Sequence, residues 1–123
     1  MHQYSFEKLD IWKLSIKLAC QIYQLTETLP NDEKYGLSSQ LKRASTSIST
    51  NIAEGVCRFT NKEKSRFIEI AYGSTIEVMS HLLMSYELKL INVDQLDEFR
   101  LKVNELTNKL NAFYQNLKKN DKQ

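Results

Sequence analysis

The stretch of sequence that decides the fold is DQLDEFRLKVNELTNKLNAFYQNLK, residues 94–118. Large apolar side chains recur along it at alternating spacings of four and three, which is the period of one face of an α-helix. They are Phe99, Val103, Leu106, Leu110, Phe113 and Leu117. The residues between them are mostly polar, so the stretch predicts an amphipathic helix that needs other elements to cover its apolar face.

Three further segments of the chain show the same helical period. They are predicted as helices over about 6–29, 35–57 and 61–90, with the fourth over about 94–118. Pro30 ends the first helix, because proline disfavours helical geometry in the residue before it. Thr60 and Glu63 form a capping-box pattern at the start of the third helix, and Asn92 or Asp94 can cap the fourth.

The composition favours one all-α domain that covers residues 1–123. The chain has only three glycines and one proline, too few for the turns of a β-sandwich or barrel. With 41% hydrophobic and 26% charged residues, it can bury a core and is not expected to be disordered. Because the connections are short, the predicted fold is an antiparallel up-down-up-down four-helix bundle.

The sequence predicts a cytoplasmic protein. No apolar stretch approaches the roughly 20 residues that span a bilayer, and the first residues lack the pattern of a signal peptide. In the cytosol Cys20 and Cys57 should be reduced. Each falls within a helical pattern, so we predict that both act as small buried hydrophobes.

No pattern in the chain predicts catalysis, a metal or a cofactor. His81 follows Glu77 by four residues, and this pair occurs once. A di-iron bundle needs Glu-x-x-His on each of two helices, with further carboxylates opposite. There is also no glycine-rich phosphate loop, and no base is placed to activate a serine. The chain is therefore predicted not to be an enzyme.

Polar residues lean inward on the second and third predicted helices. One stripe of the second helix carries Arg43, Ser47, Asn51 and Glu54. In an antiparallel hairpin that turns near Phe59, Arg43 comes level with Ser74 and Glu77. We predict a buried or half-buried Arg43–Glu77 ion pair, and Asn51 or Glu54 beside Arg66. These groups either set the register of the two helices or line a small polar pocket.

Two glycines carry separate predictions. Gly73 and Ser74 lie inside the third helix and are predicted to mark a close helix–helix contact. Gly55 lies near the end of the second helix and is predicted to mark its frayed end.

The same polar residues carry a family resemblance. Asn51-Ile52-Ala53-Glu54-Gly55 resembles the signature of the 23S rRNA intervening-sequence proteins, also called the S23 family. The resemblance covers residues 6–92, with Ser49 as a departure where proline is common. Other stretches match in order: Phe6-x-x-Leu9-x-x-Trp12, Leu29-Pro30-x-x-Glu33-x-Tyr35-Gly36-Leu37, Gln40-Leu41-Lys42-Arg43-Ala44, Ser47-Ile48 and Ala71-x-Gly73-Ser74-x-x-Glu77.

This resemblance implies a fold, an assembly and a class of function. It implies a four-helix bundle in a five-fold ring, that is, a homopentamer. The bundle is also similar to the accessory protein of diversity-generating retroelements, a pentamer that works with nucleic acid and a reverse transcriptase. The implied role is binding or scaffolding. The residues that the motifs assign to a polar core are Arg43, Ser47, Asn51, Glu54, Gly55, Gly73, Ser74 and Glu77.

The charge of the chain is predicted to be polarised along the bundle. One end collects residues 1–17, 51–66 and 109–123, with eleven basic and five acidic side chains, a net +6. The remaining residues carry a net −4, which gives +2 for the whole chain. In a ring, these ends would form one positive face able to attract phosphates. Candidate nucleic-acid-binding residues there are Arg58, Lys62, Lys64, Arg66, Lys118 and Lys119.

Alternatives remain open for the role of the basic residues and for the function of the protein. Lys118, Lys119 and Lys122 could solvate a tail while the other basic residues pair with nearby acids. The function is then either an oligomeric scaffold that binds RNA or DNA, or a protein-interaction module with a partner such as a reverse transcriptase. In the second case Tyr4, Phe6, Trp12 and Tyr35 are candidate interface anchors, unless Trp12 belongs to the core.

Overall fold

The structure is a computed structural model that describes residues 1–33 and 35–121. Its four helices are α1 (Asp10–Thr26), α2 (Leu37–Val56), α3 (Asn61–Glu87) and α4 (Val93–Asp121). Two short 3-10 helices, Ser5–Lys8 and Asn31–Glu33, precede α1 and α2. The prediction of an all-α four-helix fold is confirmed, and the bundle is built from these four helices around one apolar core.

The packing order follows the chain. Each helix contacts the next, and α1 also packs thinly against α4, which closes the bundle. The core consists of the apolar stripes that the helical period singled out. Its fully buried members include Ile22, Leu41, Ile48, Ile52, Ile68, Val78, Leu82, Leu106 and Leu110. On α4 the predicted stripe is buried from Phe99 to Leu110, and Phe113 and Leu117 are half-buried.

Local hydrogen bonds explain where α3 and α4 begin and where α3 ends. Thr60 Oγ1 accepts from the Glu63 amide at 3.2 Å and caps α3. At α4 the cap is Asn92: its side chain and that of Gln95 exchange hydrogen bonds with each other's backbone amides at 2.8 Å. The third helix ends at Glu87, earlier than predicted, because Lys89 turns left-handed with φ 62.

The first helix is shorter at both ends than the sequence predicted. Glu7 accepts a hydrogen bond from the Tyr4 amide at 2.7 Å and closes a separate 3-10 turn, and Leu9 is extended. At the other end the Thr28 amide bonds to the carbonyl of Leu25, three residues back, so the chain tightens before it reaches Pro30. The spacing of apolar residues continues through both breaks, so the sequence pattern alone predicted a longer helix.

The structure corrects part of each glycine prediction. Gly55 is buried inside the last turn of α2, where a Cβ would lie 2.6 Å from the Cβ of Phe67 on α3. It is therefore the close-contact point of the hairpin. Gly73 is exposed, and a Cβ there would meet no atom within 4 Å. The contact at that level belongs to its neighbour Ser74, which is buried.

The prediction for the cysteines was also wrong, because Cys20 and Cys57 are both exposed. Cys20 lies on the outer face of α1, and Cys57 is the residue that follows α2. None of the helices formed by the described residues combines the length and apolar content needed to cross a bilayer.

Candidate functional site

A small polar network joins α2 to α3. Ser47 Oγ lies 2.9 Å from Ser74 Oγ, and Asn51 Nδ2 donates to the carbonyl and the Oγ of Ser47 at 2.8 and 3.1 Å. Ser74 is buried, and Ser47 and Asn51 are half-buried. Because both hydroxyls need partners at this depth, the network fixes how α2 and α3 slide against each other.

The charged members of the predicted polar core lie outside it. Arg43 is exposed and donates to Gln40 at 3.2 Å, and Glu77 is exposed and pairs with His81 at 3.3 Å. The predicted Arg43–Glu77 ion pair is therefore wrong. Long charged side chains at the edge of the interface reach partners one turn away on their own helix, where water still solvates them.

The predicted partners of Arg66 also lie elsewhere. Glu54 is exposed and lies 3.9 Å from Arg58, one turn along α2, and Asn51 bonds to Ser47. What remains of the eight motif residues as an interior set is Ser47, Asn51, Gly55 and Ser74. The described contacts of these four residues indicate that they set the register of α2 and α3, and do not indicate that they line a polar pocket.

The antiparallel packing brings the predicted positive end together. The Lys109 ammonium on α4 binds the Asp10 carboxylate at the start of α1. Ile68 of α3 and Tyr114 of α4 line the same pocket, which places the first turns of α3 level with the last turns of α4. We call this region the positive end, defined as residues 1–17, 51–66 and 109–121. Lys122 lies outside the described residues.

The structure places all six candidate nucleic-acid-binding residues at the positive end. Arg58, Lys62, Arg66 and Lys119 are exposed, and Lys64 and Lys118 are half-buried. Within the described ranges, ion pairs at this end involve Lys109 with Asp10 and Arg58 with Glu54. Ion pairs with neighbouring acids thus involve a minority of the basic side chains, and most of the other described ones are exposed.

The Lys109–Asp10 pair predicts a pH dependence. The hydrogen bond to Asp10, followed by the charge of its carboxylate, raises the pKa of Lys109. A pKa raised in the folded state stabilises the fold below the unfolded value of about 10.4, and this contribution disappears as pH rises through the folded value. We expect Lys109→Met to lower the melting temperature slightly at pH 8, and the difference from wild type to vanish as the pH rises through the raised pKa of Lys109.

Thermal unfolding followed by circular dichroism across this pH range measures that difference. Lys13→Met, which removes another exposed lysine of the positive end, is the control. A loss of the same size and pH dependence in the control would contradict the role of the pair.

An apolar stripe on the outer surface of α3 was missed by the sequence analysis. Its residues recur at spacings of four, three, four and three, beside the stripe that faces the core. They are Tyr72, Ile76, Met79, Leu83 and Tyr86. Met79 is half-buried, and the other four are 36–47% exposed. We call this set the α3 stripe. Its period was visible in the sequence, but the adjacent core stripe of α3 masked it.

The proposed aromatic anchors differ in their surroundings. Trp12 is half-buried, packs at the edge of the core and meets the ring of Phe6 at 5.2 Å. Tyr4 and Tyr35 are exposed. In the parts of the chain that the structure describes, no three His, Cys, Asp or Glu side chains come together to hold a metal ion.

Four amphipathic helices around one core, with a hydroxyl–amide network between α2 and α3, define a four-helix-bundle protein. The chain belongs to the 23S rRNA-intervening sequence protein family, because residues 7–112 match that family. The resemblance read from the motifs is thereby confirmed, and it extends beyond residue 92.

A solved structure shares the fold. It is the crystal structure of a protein with unknown function from the S23 ribosomal protein family of Bacteroides thetaiotaomicron. The two chains are 23% identical, the match covers 85% of this chain and 97% of that one, and the TM-score is 0.79. No curated protein matches the chain.

Proposed function

We propose that this protein is a cytoplasmic, non-enzymatic, self-assembling bundle that binds RNA through its positive end. The observation that carries the proposal is the convergence of three chain segments on that end, with exposed basic side chains that acids there only partly neutralise. Such a surface attracts the phosphate backbone and releases its counterions.

Self-assembly would strengthen this binding. The family resemblance implies a ring of five chains, and parallel subunits in such a ring would present their positive ends on one face. One basic end carries a modest charge, whereas several on one face would bind a folded RNA at several points. The α3 stripe is the apolar surface through which we expect this association to form.

Charge reversal at the start of α3 tests the RNA-binding proposal. We expect Lys62→Glu/Lys64→Glu/Arg66→Glu to weaken binding of a structured RNA about tenfold or more, because three phosphate contacts would be lost. The slope of log affinity against log salt concentration should fall by roughly 2–3. Fluorescence anisotropy at several salt concentrations measures both quantities.

A matched control separates a local site from overall charge. Arg43→Glu/Lys89→Glu/Arg100→Glu makes the same change in net charge at exposed positions outside the positive end. This variant should bind close to wild type. Equal losses in the two triple variants would show that binding reflects net charge alone, and an unchanged Lys62/Lys64/Arg66 variant would remove the positive end as an RNA site.

The second candidate function is a protein-interaction module without nucleic-acid binding. The α3 stripe favours it, since contiguous exposed apolar surface marks contacts with other proteins. Its occupant would be another copy of the chain or a protein such as a reverse transcriptase. An RNA-binding assay separates the two candidates, because the second predicts no salt-dependent affinity for RNA or DNA.

A further inference from the structure

The turn between α2 and α3 holds an aromatic ring that the fold does not use. Phe59 lies in this turn with a relative exposure of 102%, so folding buries none of its side chain. The described ring contacts involve Phe67, the other aromatic residue near the turn, and do not involve Phe59. A fully exposed phenylalanine contributes no hydrophobic free energy to folding.

The turn that carries Phe59 is held in place from both sides. The Arg58 amide donates to the carbonyl of Gly55 at 3.0 Å, and the hydroxyl of Thr60 caps α3. Gly55 also lets α2 approach Phe67 closely just before the turn. Because both flanking residues are anchored, the backbone presents the Phe59 ring to solvent at a defined place.

Basic residues lie on both sides of Phe59 in the sequence, just after the end of α2 and on the first turns of α3. Arg58 precedes it, and its guanidinium lies 4.4 Å from the centre of the Phe67 ring. Lys62, Lys64 and Arg66 follow on the first turns of α3. The amide groups at the start of α3 add partial positive charge at the same place.

An exposed aromatic ring among cations matches the chemistry of an unpaired nucleotide. Single-stranded nucleic acids are bound by basic side chains that contact phosphates and by aromatic rings on which bases stack. Bases inside a duplex already stack on each other and cannot cover such a ring. A basic surface without an aromatic ring would hold duplex and single strand through phosphates alone.

We propose that Phe59 stacks on an unpaired nucleobase and makes the positive end selective for single-stranded nucleic acid. This inference rests on the proposed function, since it names the form of nucleic acid that the same surface takes. The phosphates beside the stacked base lie against Arg58, Lys62 and Arg66. Any of the four bases is accepted, because stacking uses the face of the base and not its hydrogen-bonding edge.

The test compares a fluorescently labelled polyuridine oligomer with a duplex RNA of the same length. We expect Phe59→Ala to weaken binding of the single strand by about 5- to 100-fold and to leave duplex binding and both salt slopes unchanged. Phe59→Trp should retain single-strand affinity. Its fluorescence should be quenched by polyuridine beyond any change in wild type, whose single tryptophan is Trp12. A single-stranded DNA of the same length shows whether the sugar matters.

The controls separate this inference from the proposed function. Tyr35→Ala removes an exposed aromatic ring at the opposite end of the bundle and should not change binding. If Phe59→Ala binds polyuridine as wild type does, or loses single strand and duplex equally, stacking is wrong. If stacking is excluded in this way but the Lys62/Lys64/Arg66 charge-reversal variant loses binding, the RNA-binding proposal stands without stacking. If the charge reversal also has no effect, both proposals fail.

Discussion

Gly55→Ala is expected to destabilise the bundle, although alanine is the better helix former. The added Cβ would lie 2.6 Å from the Cβ of Phe67, far inside the 3.5–4.0 Å at which carbon atoms are comfortable. Since that Cβ is fixed to the backbone of α3, no side-chain rotation relieves the clash, and the two helices must separate. Overpacking of this kind costs about 1–3 kcal/mol or more, against an intrinsic helix gain of about 1 kcal/mol.

Because an approach of 2.6 Å is a severe overlap, we expect a cost in the upper part of that range, and a net loss of about 1–2 kcal/mol in the free energy of unfolding. Urea unfolding at a fixed protein concentration measures it, because self-association would otherwise shift the midpoint. A variant as stable as wild type would show that the α2–α3 hairpin is not held closely at Gly55.

Gly73→Ala is the matched control, with the opposite sign. Gly73 lies inside α3, is exposed, and has room for a Cβ with no atom within 4 Å. Alanine should therefore stabilise the helix by about 0.5–1 kcal/mol, because it removes conformational freedom from the unfolded chain. Destabilisation at Gly73 would mean that this face of α3 is covered by another chain in solution.

The helical period predicted the core because hydrophobic burial dominates the energy of such a bundle. The stripe from Phe99 to Leu110 on α4 is buried as its spacing required, and the Asn92 cap follows from local hydrogen-bonding chemistry. Both features depend on residues close together in the chain. The family resemblance implied a four-helix bundle, and the short connections favoured an antiparallel order of its helices.

The parts that the sequence mispredicted depend on contacts between helices. Gly55 and Gly73 look alike in a helical pattern, and only the distance between α2 and α3 distinguishes them. The predicted register of the two helices allowed an Arg43–Glu77 ion pair, but each side chain forms a hydrogen bond with a residue of its own helix. For the candidate site, the basic residues of the positive end could be named from topology, whereas the exposure of Phe59 required the structure.

Ile76→Glu/Leu83→Glu is expected to convert an assembled protein into monomers. Both residues belong to the α3 stripe, and each is more than one-third exposed in the isolated chain. Burying two unpaired carboxylates in an interface costs several kcal/mol each, which exceeds what the remaining stripe can return. Because the two positions face solvent in the single chain, the fold itself should survive.

Light scattering coupled to size exclusion measures the mass, and circular dichroism checks the helical content. Leu101→Glu is the control, since Leu101 is an apolar residue of α4 that is 73% exposed and lies outside the stripe. It should leave the mass unchanged. Monomeric wild-type protein, or the wild-type oligomer in the Ile76/Leu83 variant, would rule out the α3 stripe as the assembly surface.

The monomeric variant also tests whether assembly strengthens the binding of RNA by the positive end. Its positive end would be intact, because Ile76 and Leu83 lie outside that region. If several ends act on one RNA, separating the subunits should reduce affinity by roughly 10²–10⁴-fold for a long structured RNA, since the additional contacts no longer act within one complex. A short polyuridine that reaches only one subunit should bind monomer and oligomer alike. A larger loss of affinity for the long RNA than for the short polyuridine would therefore indicate multivalent binding. If monomer and oligomer bind each RNA with equal affinity, assembly serves a purpose other than RNA binding.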